Sequence, residues 1–126
     1  MINNSFVSNS APSGGGFSCG ACDANFANNI LVANVGGNCS IFGSPGYGSL
    51  GGNIDAANTC LLGMNDLINT DSLVVAGAPA ANGGFTNSIL LQVTSPAIGY
   101  GQVSKCPVVD QRGIVRSQPC ASGATQ

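Results

Sequence analysis

The heptapeptide Asn3-Asn4-Ser5-Phe6-Val7-Ser8-Asn9 returns 25 residues later as Asn28-Asn29-Ile30-Leu31-Val32-Ala33-Asn34, with four of seven residues identical and Phe6 aligned with Leu31. A period of roughly 20 to 30 residues, built on a short strand with asparagine at its ends, is a solenoid signature. In a parallel β-helix each coil adds one rung to each sheet, and equivalent residues stack about 4.8 Å apart. Inward positions then line up as aliphatic columns. Asparagine at a coil corner tolerates left-handed dihedrals and ladders its amide with the next rung. The repeat therefore predicts an all-β chain wound as a parallel β-helix.

The rest of the chain agrees with short strands. Apolar runs recur at residues 5–7, 29–33, 72–75, 88–93 and, more weakly, 113–116, each bounded by Gly, Asn, Ser or Pro. No stretch of helical length keeps apolar residues at helical spacing without Gly, Pro or Asn intervening. Residues 43–53 form a Gly-rich loop that lacks the Gly-Lys-Ser/Thr of a phosphate loop. Residues 64–69 are expected to make one helical turn, residues 79–84 a turn cluster, and the chain beyond Val93 an irregular tail. Residues 1–75 read as parallel β-helix coils. Residues 76–126 read as a looped C-terminal end-piece that covers the last coil, as the open end of a solenoid requires.

Composition excludes several functions. Charged residues make up 6% of the chain, against about 25% in ordinary domains. Lys105, Arg112 and Arg116 are its only cations, so neither nucleic-acid binding nor a polybasic membrane site is expected. The chain has no His, which removes imidazole metal sites and Ser-His or Cys-His catalysis. Tight coil corners account for the low charge, because Asn, Ser, Thr and Gly satisfy backbone groups there without carrying any. The weakly polar stretch 73–81 contains Gly77 and Pro79 and falls far short of the roughly 20 apolar residues of a membrane span, so no transmembrane segment is expected. Residues 1–16 lack the basic and apolar regions of a secretory signal. An export signal is then expected outside this chain, with Met1 inside a longer one.

Six cysteines, Cys19, Cys22, Cys39, Cys60, Cys106 and Cys120, are even in number and widely spaced, which favours disulfides and an oxidising compartment. A four-cysteine zinc site lacks a second close pair to join Cys19 and Cys22. A redox Cys-x-x-Cys opens a helix, and here the motif lies in a Gly/Ser/Asn-rich loop. Among the many pairings open to six cysteines the sequential one is preferred: Cys19–Cys22, Cys39–Cys60 and Cys106–Cys120. Closing a loop of about 15 residues contributes about 3 kcal/mol in the chain-entropy model.

The second half carries a resemblance. Cys39, Gly46-Tyr47-Gly48-Ser49-Leu50, Cys60, Asp66-Leu67, Asp71-Ser72-Leu73, Asn82-Gly83-Gly84-Phe85-Thr86, Ser95-Pro96-Ala97-Ile98, Cys106, Asp110-Gln111-Arg112-Gly113, Arg116 and Cys120 follow one another in that order. The series resembles the C-terminal signature of bacterial surface proteins that are right-handed parallel β-helices ending in a choice-of-anchor Q domain, and it covers about residues 25 to 120. The chain departs from that pattern at Ser72 and Phe85, where the family has Pro, at Gly99, where it has Asp, at Ile89, where His is common, and after Cys120, where the Asp-Ile-Gly-Ala ending is replaced. The resemblance implies a right-handed parallel β-helix fragment with an irregular, disulfide-stapled C-terminal cap, at the bacterial cell surface or outside the cell. With the family's carboxylates missing, Asp110 is the nearest partner for Arg112 or Arg116, and the three are expected to form a structural turn with a local ion pair.

The expected function is non-enzymatic: structural or adhesive display and attachment, with no catalytic residue, no metal site and no cofactor. The alternative is a fragment of a carbohydrate-processing β-helix, a polysaccharide lyase or glycosidase. A glycosidase needs two carboxylates about 5 to 10 Å apart, and Asp23, Asp55, Asp66, Asp71 and Asp110 are the only acids. Asp before an apolar residue more commonly accepts backbone N–H bonds at a turn. The same dispersed acids make a poor calcium cage. Tyr47 and Tyr100 are the candidate carbohydrate contacts, with Phe42 and Phe85 as further aromatics that stack on sugars if exposed. Ser and Thr are too irregular for an ice-facing array. The expected partners are missing N-terminal coils of a longer chain, or another copy of the chain through the exposed coil edge at residues 3–9, and glycans. Pairing of copies through that edge makes the third alternative, a self-associating, fibre-forming structural protein.

Overall fold

The structure, a computed structural model, describes residues 1–69 and 75–126. The described residues form short strands with almost no helix, the exception being a single turn at Val103–Lys105. The strands in chain order are β1 (Ser5–Val7), β2 (Phe17–Gly20), β3 (Asn25–Phe26), β4 (Ile30–Val32), β5 (Cys39–Phe42), β6 (Gly48–Ser49), β7 (Ile54–Asp55), β8 (Leu67–Ile68), β9 (Val75–Ala80) and β10 (Ser88–Leu91).

The first eight strands pair in parallel. One sheet has the order β1-β4-β7-β8, while β2 pairs with β5 and β3 with β6. The register of β1 on β4 is Ser5↔Ile30, Phe6↔Leu31 and Val7↔Val32, the 25-residue offset of the heptapeptide repeat. Bridges Ile2↔Ala27 and Ser10↔Val35 hold the same offset on either side. Ile30 then pairs with Ile54, Phe17 with Cys39 and Asn25 with Gly48. The last two strands are antiparallel: β9 and β10 form a two-stranded sheet of their own. Pro79 is accommodated there because a two-stranded sheet consists of edges.

Two expectations are corrected. Residues 64–69 do not make a helical turn that closes on itself. Leu67 donates its N–H to the Asn53 carbonyl at 2.9 Å and Asn69 donates to the Asp55 carbonyl at 3.0 Å, so β8 joins the sheet. Sheet pairing wins because a single helical turn carries the full nucleation cost with little to offset it. The expected run at 113–116 reduces to one antiparallel bridge, Val109↔Val115. Of the run expected at 72–75, residues 72–74 lie outside the described residues, as does Asp71, while Val75 opens β9.

The core lies on both faces of the four-stranded sheet. Ile30, Leu31 and Val32 are all buried. Leu31 packs with Phe26, Cys39 and Cys60, flanked by Phe6, Phe17, Ile41 and Tyr47. Ile30, Val32 and Ile54 pack on the opposite side with Ala97, flanked by Leu67, Leu91 and Tyr100. A strand covered on both faces reads as an unbroken apolar run, which explains Ile-Leu-Val in β4. Burying each such side chain stabilises the fold by about 1.5–3 kcal/mol.

The C-terminal segment supplies the second cover. Gly123 N–H donates to the Asn28 carbonyl at 2.7 Å, the Ser122 hydroxyl to the Gly52 carbonyl at 2.5 Å, and Ala124 N–H to Ser5 Oγ at 3.0 Å. The segment thus reaches residues beside β1, β4 and β7 alike, along the flank of the stacked strands and back to the first of them. The apolar outer face of β4 and β7 requires that cover.

The corner ahead of these strands is left-handed in each copy, at Asn3 (φ 52°), Asn28 (φ 55°) and Gly52 (φ 73°). Glycine stands third for a second reason: a Cβ there would sit 2.3 Å from Asn28 Oδ1. The structure closes three disulfides, Cys19–Cys22, Cys39–Cys60 and Cys106–Cys120. Among the described residues no helix is long and apolar enough to cross a membrane.

Candidate functional site

Two columns of carboxamides run across the parallel strands. The residue immediately before each strand of the main sheet is Asn4, Asn29, Asn53 and then Asp66. Asn4 donates its backbone N–H and Nδ2–H to Asn29 Oδ1 at 3.0 and 3.1 Å. Asn29 does the same to Asn53 Oδ1 at 2.9 and 3.0 Å, and Asn53 to Asp66 Oδ1 at 2.8 and 2.9 Å. The second column starts at Asn9, which donates N–H and Nδ2–H to Asn34 Oδ1, both at 3.0 Å. Asn34 donates to Asn38 Oδ1 at 3.2 and 2.8 Å, and Asn38 Nδ2 donates to Asp55 Oδ1 at 2.6 Å.

Both columns therefore have a direction, and both stop on a carboxylate. An ionised Asp accepts but has no side-chain N–H to pass on. Asp55, fully buried, also accepts the backbone N–H groups of Ala57, Thr59 and Cys60 at 3.0, 2.6 and 2.7 Å. Asp66 takes Gly63 N–H at 2.9 Å and the Ser49 hydroxyl. These acids hold turns together by accepting hydrogen bonds from the backbone. Burial, followed by the charges of Asp55 and Asp66, pushes the Tyr47 phenol up to about 12, so it remains a donor.

At the other end the columns are open. Asn29 and Asn34 are buried beneath Asn4 and Asn9, whereas Asn4 and Asn9 are exposed. Neither Asn4 Oδ1 nor Asn9 Oδ1 accepts a hydrogen bond from a described residue. β1 is also the edge of its sheet. A groove of about 500 Å³ lies against it, lined by residues 2–6 and by Pro107, Val109, Asp110 and Gln111 of the C-terminal segment.

The wall of that groove is tied together by hydrogen bonds and one ion pair. Arg112 grips Asp110 with Nε at 2.9 Å and Nη2 at 2.7 Å, and Asp110 accepts the backbone N–H groups of Arg112, Ile114 and Gln126 at 2.8, 3.1 and 3.2 Å. Burial raises the Asp110 carboxyl, but these hydrogen bonds outweigh it and hold the group below the usual carboxylate value. Arg112 also donates to the Gln126 carbonyl. Arg116 does not share the ion pair. Its buried guanidinium donates to the carbonyls of Ala121, Gly123 and Ala124 at 3.1, 2.9 and 2.9 Å, with a longer contact to Val109 at 3.4 Å. Burial draws Arg116 below its ordinary value, with Asp110 opposing and Arg112 adding to the shift. The expected trio is thus one ion pair, Asp110–Arg112, and one carbonyl-bound arginine.

The two tyrosines expected as sugar contacts serve packing. The Tyr47 ring lies 5.5 Å from that of Phe26, and its hydroxyl donates to the Cys60 carbonyl at 2.6 Å. Tyr100 packs against the group around Ile30 and Ile54. Phe42 and Phe85 are the exposed aromatics. All six cysteines are in disulfides, so none is left as a metal ligand. Among the described residues no three acids or cysteines are placed to hold a metal ion. The continuation of the first column through Asn53 and Asp66 was not read from the sequence. Its signal is present: Asn53-Ile54 repeats Asn29-Ile30 after 24 residues, and Asp66-Leu67 keeps the polar–aliphatic step.

Comparison with protein families, curated proteins and solved structures finds none that matches this chain.

Proposed function

We propose that the chain is part of a right-handed parallel β-helix of the kind that ends in a choice-of-anchor Q domain, and that it acts without catalysis, as a structural display and attachment module on or outside the bacterial cell. The observation that carries this reading is the repeated parallel register at 25 and 24 residues, with asparagine columns running across it. Such a stack is a stiff support for whatever its faces present. The chemistry of the acids points the same way. Asp55, Asp66 and Asp110 are each consumed by backbone, amide or guanidinium donors, which suits turn-holding rather than proton transfer. Three disulfides suit an oxidising location.

The reading is tested in two parts. The purified chain is incubated with a panel of neutral and acidic polysaccharides, and new reducing ends and unsaturated uronides are measured. Intact producing cells are then probed with an antibody to the folded chain. No turnover and surface labelling are the expected results. Cleavage of any polysaccharide returns the chain to the enzyme class, and absence of label from intact cells removes it from the surface.

A further inference from the structure

We propose that Cys19–Cys22 is an exchangeable disulfide, a modification site where a small-molecule thiol adds to Cys22, while the other two disulfides are permanent staples. The inference does not depend on the display reading.

Loop length sets this bond apart first. Its cysteines are 3 residues apart, against 21 for Cys39–Cys60 and 14 for Cys106–Cys120. A cross-link stabilises a fold mainly by constraining the unfolded chain, and the constraint grows with the loop it closes. Around the thermodynamic cycle, a bond that adds little to folding is the one least protected by folding against opening.

Access differs as well. Cys22 is partly open at a corner between the exposed residues Ala21 and Asp23. Cys39 and Cys60 are both buried beside Phe26 and Leu31. Cys106 is partly open too, but its partner Cys120 is fully buried and their bond closes a much longer loop.

The corner also has ties of its own. β2 pairs with β5 along its whole length, Ala21 donates its N–H to the Phe42 carbonyl at 2.9 Å, and Cys22 donates its N–H to Ser44 Oγ at 3.1 Å. The two sulfurs therefore stay neighbours after the bond opens and can close it again.

The step is thiol–disulfide exchange. A thiolate attacks Cys22 Sγ, a mixed disulfide forms there, the Cys19–Cys22 bond breaks, and the electron pair leaves on Cys19 Sγ. Ser44 Oγ lies 3.5 Å from Cys19 Sγ and, while the bond is closed, donates to the Phe42 carbonyl at 3.0 Å. Turning that hydroxyl to the sulfur stabilises the leaving thiolate. Attack by Cys19 on the adduct reverses the step and releases the thiol. Attack by a second thiol molecule carries the adduct off as a small disulfide and leaves both cysteines reduced.

The test treats the folded chain with increasing glutathione, traps free thiols with iodoacetamide, and maps adducts by peptide mass, with circular dichroism on the same samples. Glutathione on Cys22 and alkylation of Cys19 are expected at roughly one tenth of the concentration that opens either other bond, with the dichroism unchanged. A chain carrying Cys19→Ala and Cys22→Ala is expected to keep a urea midpoint closer to the parent's than one carrying Cys39→Ala and Cys60→Ala. First reaction at Cys106, adduct on Cys19 rather than Cys22, no adduct until the dichroism is lost, or equal midpoint losses in the two double variants overturns the proposal.

Discussion

Asn29 and Asn9 are the same residue in the same kind of column, yet their surroundings differ completely. Asn29 is fully buried and makes four side-chain hydrogen bonds, two accepted from Asn4 and two donated, to Asn53 Oδ1 and to the Met1 carbonyl. Asn9 ends its column in solvent. At about 1 kcal/mol net per hydrogen bond, Asn29→Ala is expected to cost on the order of 4 kcal/mol and Asn9→Ala, which loses one side-chain hydrogen bond, about 1 kcal/mol. Urea denaturation of the two variants measures the difference, and equal losses would contradict the column as a source of stability. Gly52→Ala is expected to cost more than the roughly 1–2 kcal/mol of a left-handed backbone alone, because the added Cβ also meets Asn28 Oδ1 and the Gln102 nitrogen. The same denaturation experiment reads it. At this scale the sequence was legible where residues recur unchanged, as Asn3, Asn4, Val7 and Asn9 do at Asn28, Asn29, Val32 and Asn34. It was opaque where a column changes residue type. Asp55 replaces the Leu31 position in the strand register, and Asp66 replaces asparagine, because the ends of the columns need acceptors.

Strands of two or three residues have little identity of their own. β3, β6, β7 and β8 are two residues each, too short for apolar alternation to show, and they exist because a neighbour already holds the parallel register. That is why Gly48-Ser49 hides within a glycine-rich loop and why Leu67-Ile68 resembled part of a helical turn. β4 was legible because burial on both faces demands three consecutive apolar residues. The covalent staples matter more when elements are this short. Cys39–Cys60 closes a 21-residue separation beside Phe26 and Leu31, and replacing both cysteines with Ala is expected to cost about 3 kcal/mol. The C-terminal segment carries its own pH signature. Asp110 has its carboxyl lowered in the folded chain, so its stabilisation is fully present above the unfolded value of about 4 and is lost as pH falls through the depressed folded value. Urea midpoints measured from pH 6 downward are expected to fall in that acid range, with a smaller fall for Asp110→Asn, which is less stable at neutral pH. An identical acid slope in the two proteins contradicts the assignment.

Across the whole molecule, the four-stranded parallel sheet sits between two apolar groups, one formed with the strands that alternate with its own along the chain and the other with the C-terminal segment. The sequence reads residues 76–126 as an end-piece over the last coil and marks Ile30, Val32 and Ile54 as apolar without saying on which side of the sheet they lie. Their outward face is what draws Ala97, Leu91 and Tyr100 onto the flank. Everything rests on the parallel register, which is directly observable. Through-hydrogen-bond NMR couplings report which carbonyl each N–H is bonded to. Ile30 N–H is bonded to the Asn4 carbonyl, Ile54 to Asn29 and Leu67 to Asn53, at 2.9, 2.8 and 2.9 Å. The account predicts all three couplings in one sample. A slipped or antiparallel set, with Ile30 coupled to a carbonyl other than that of Asn4, would contradict it.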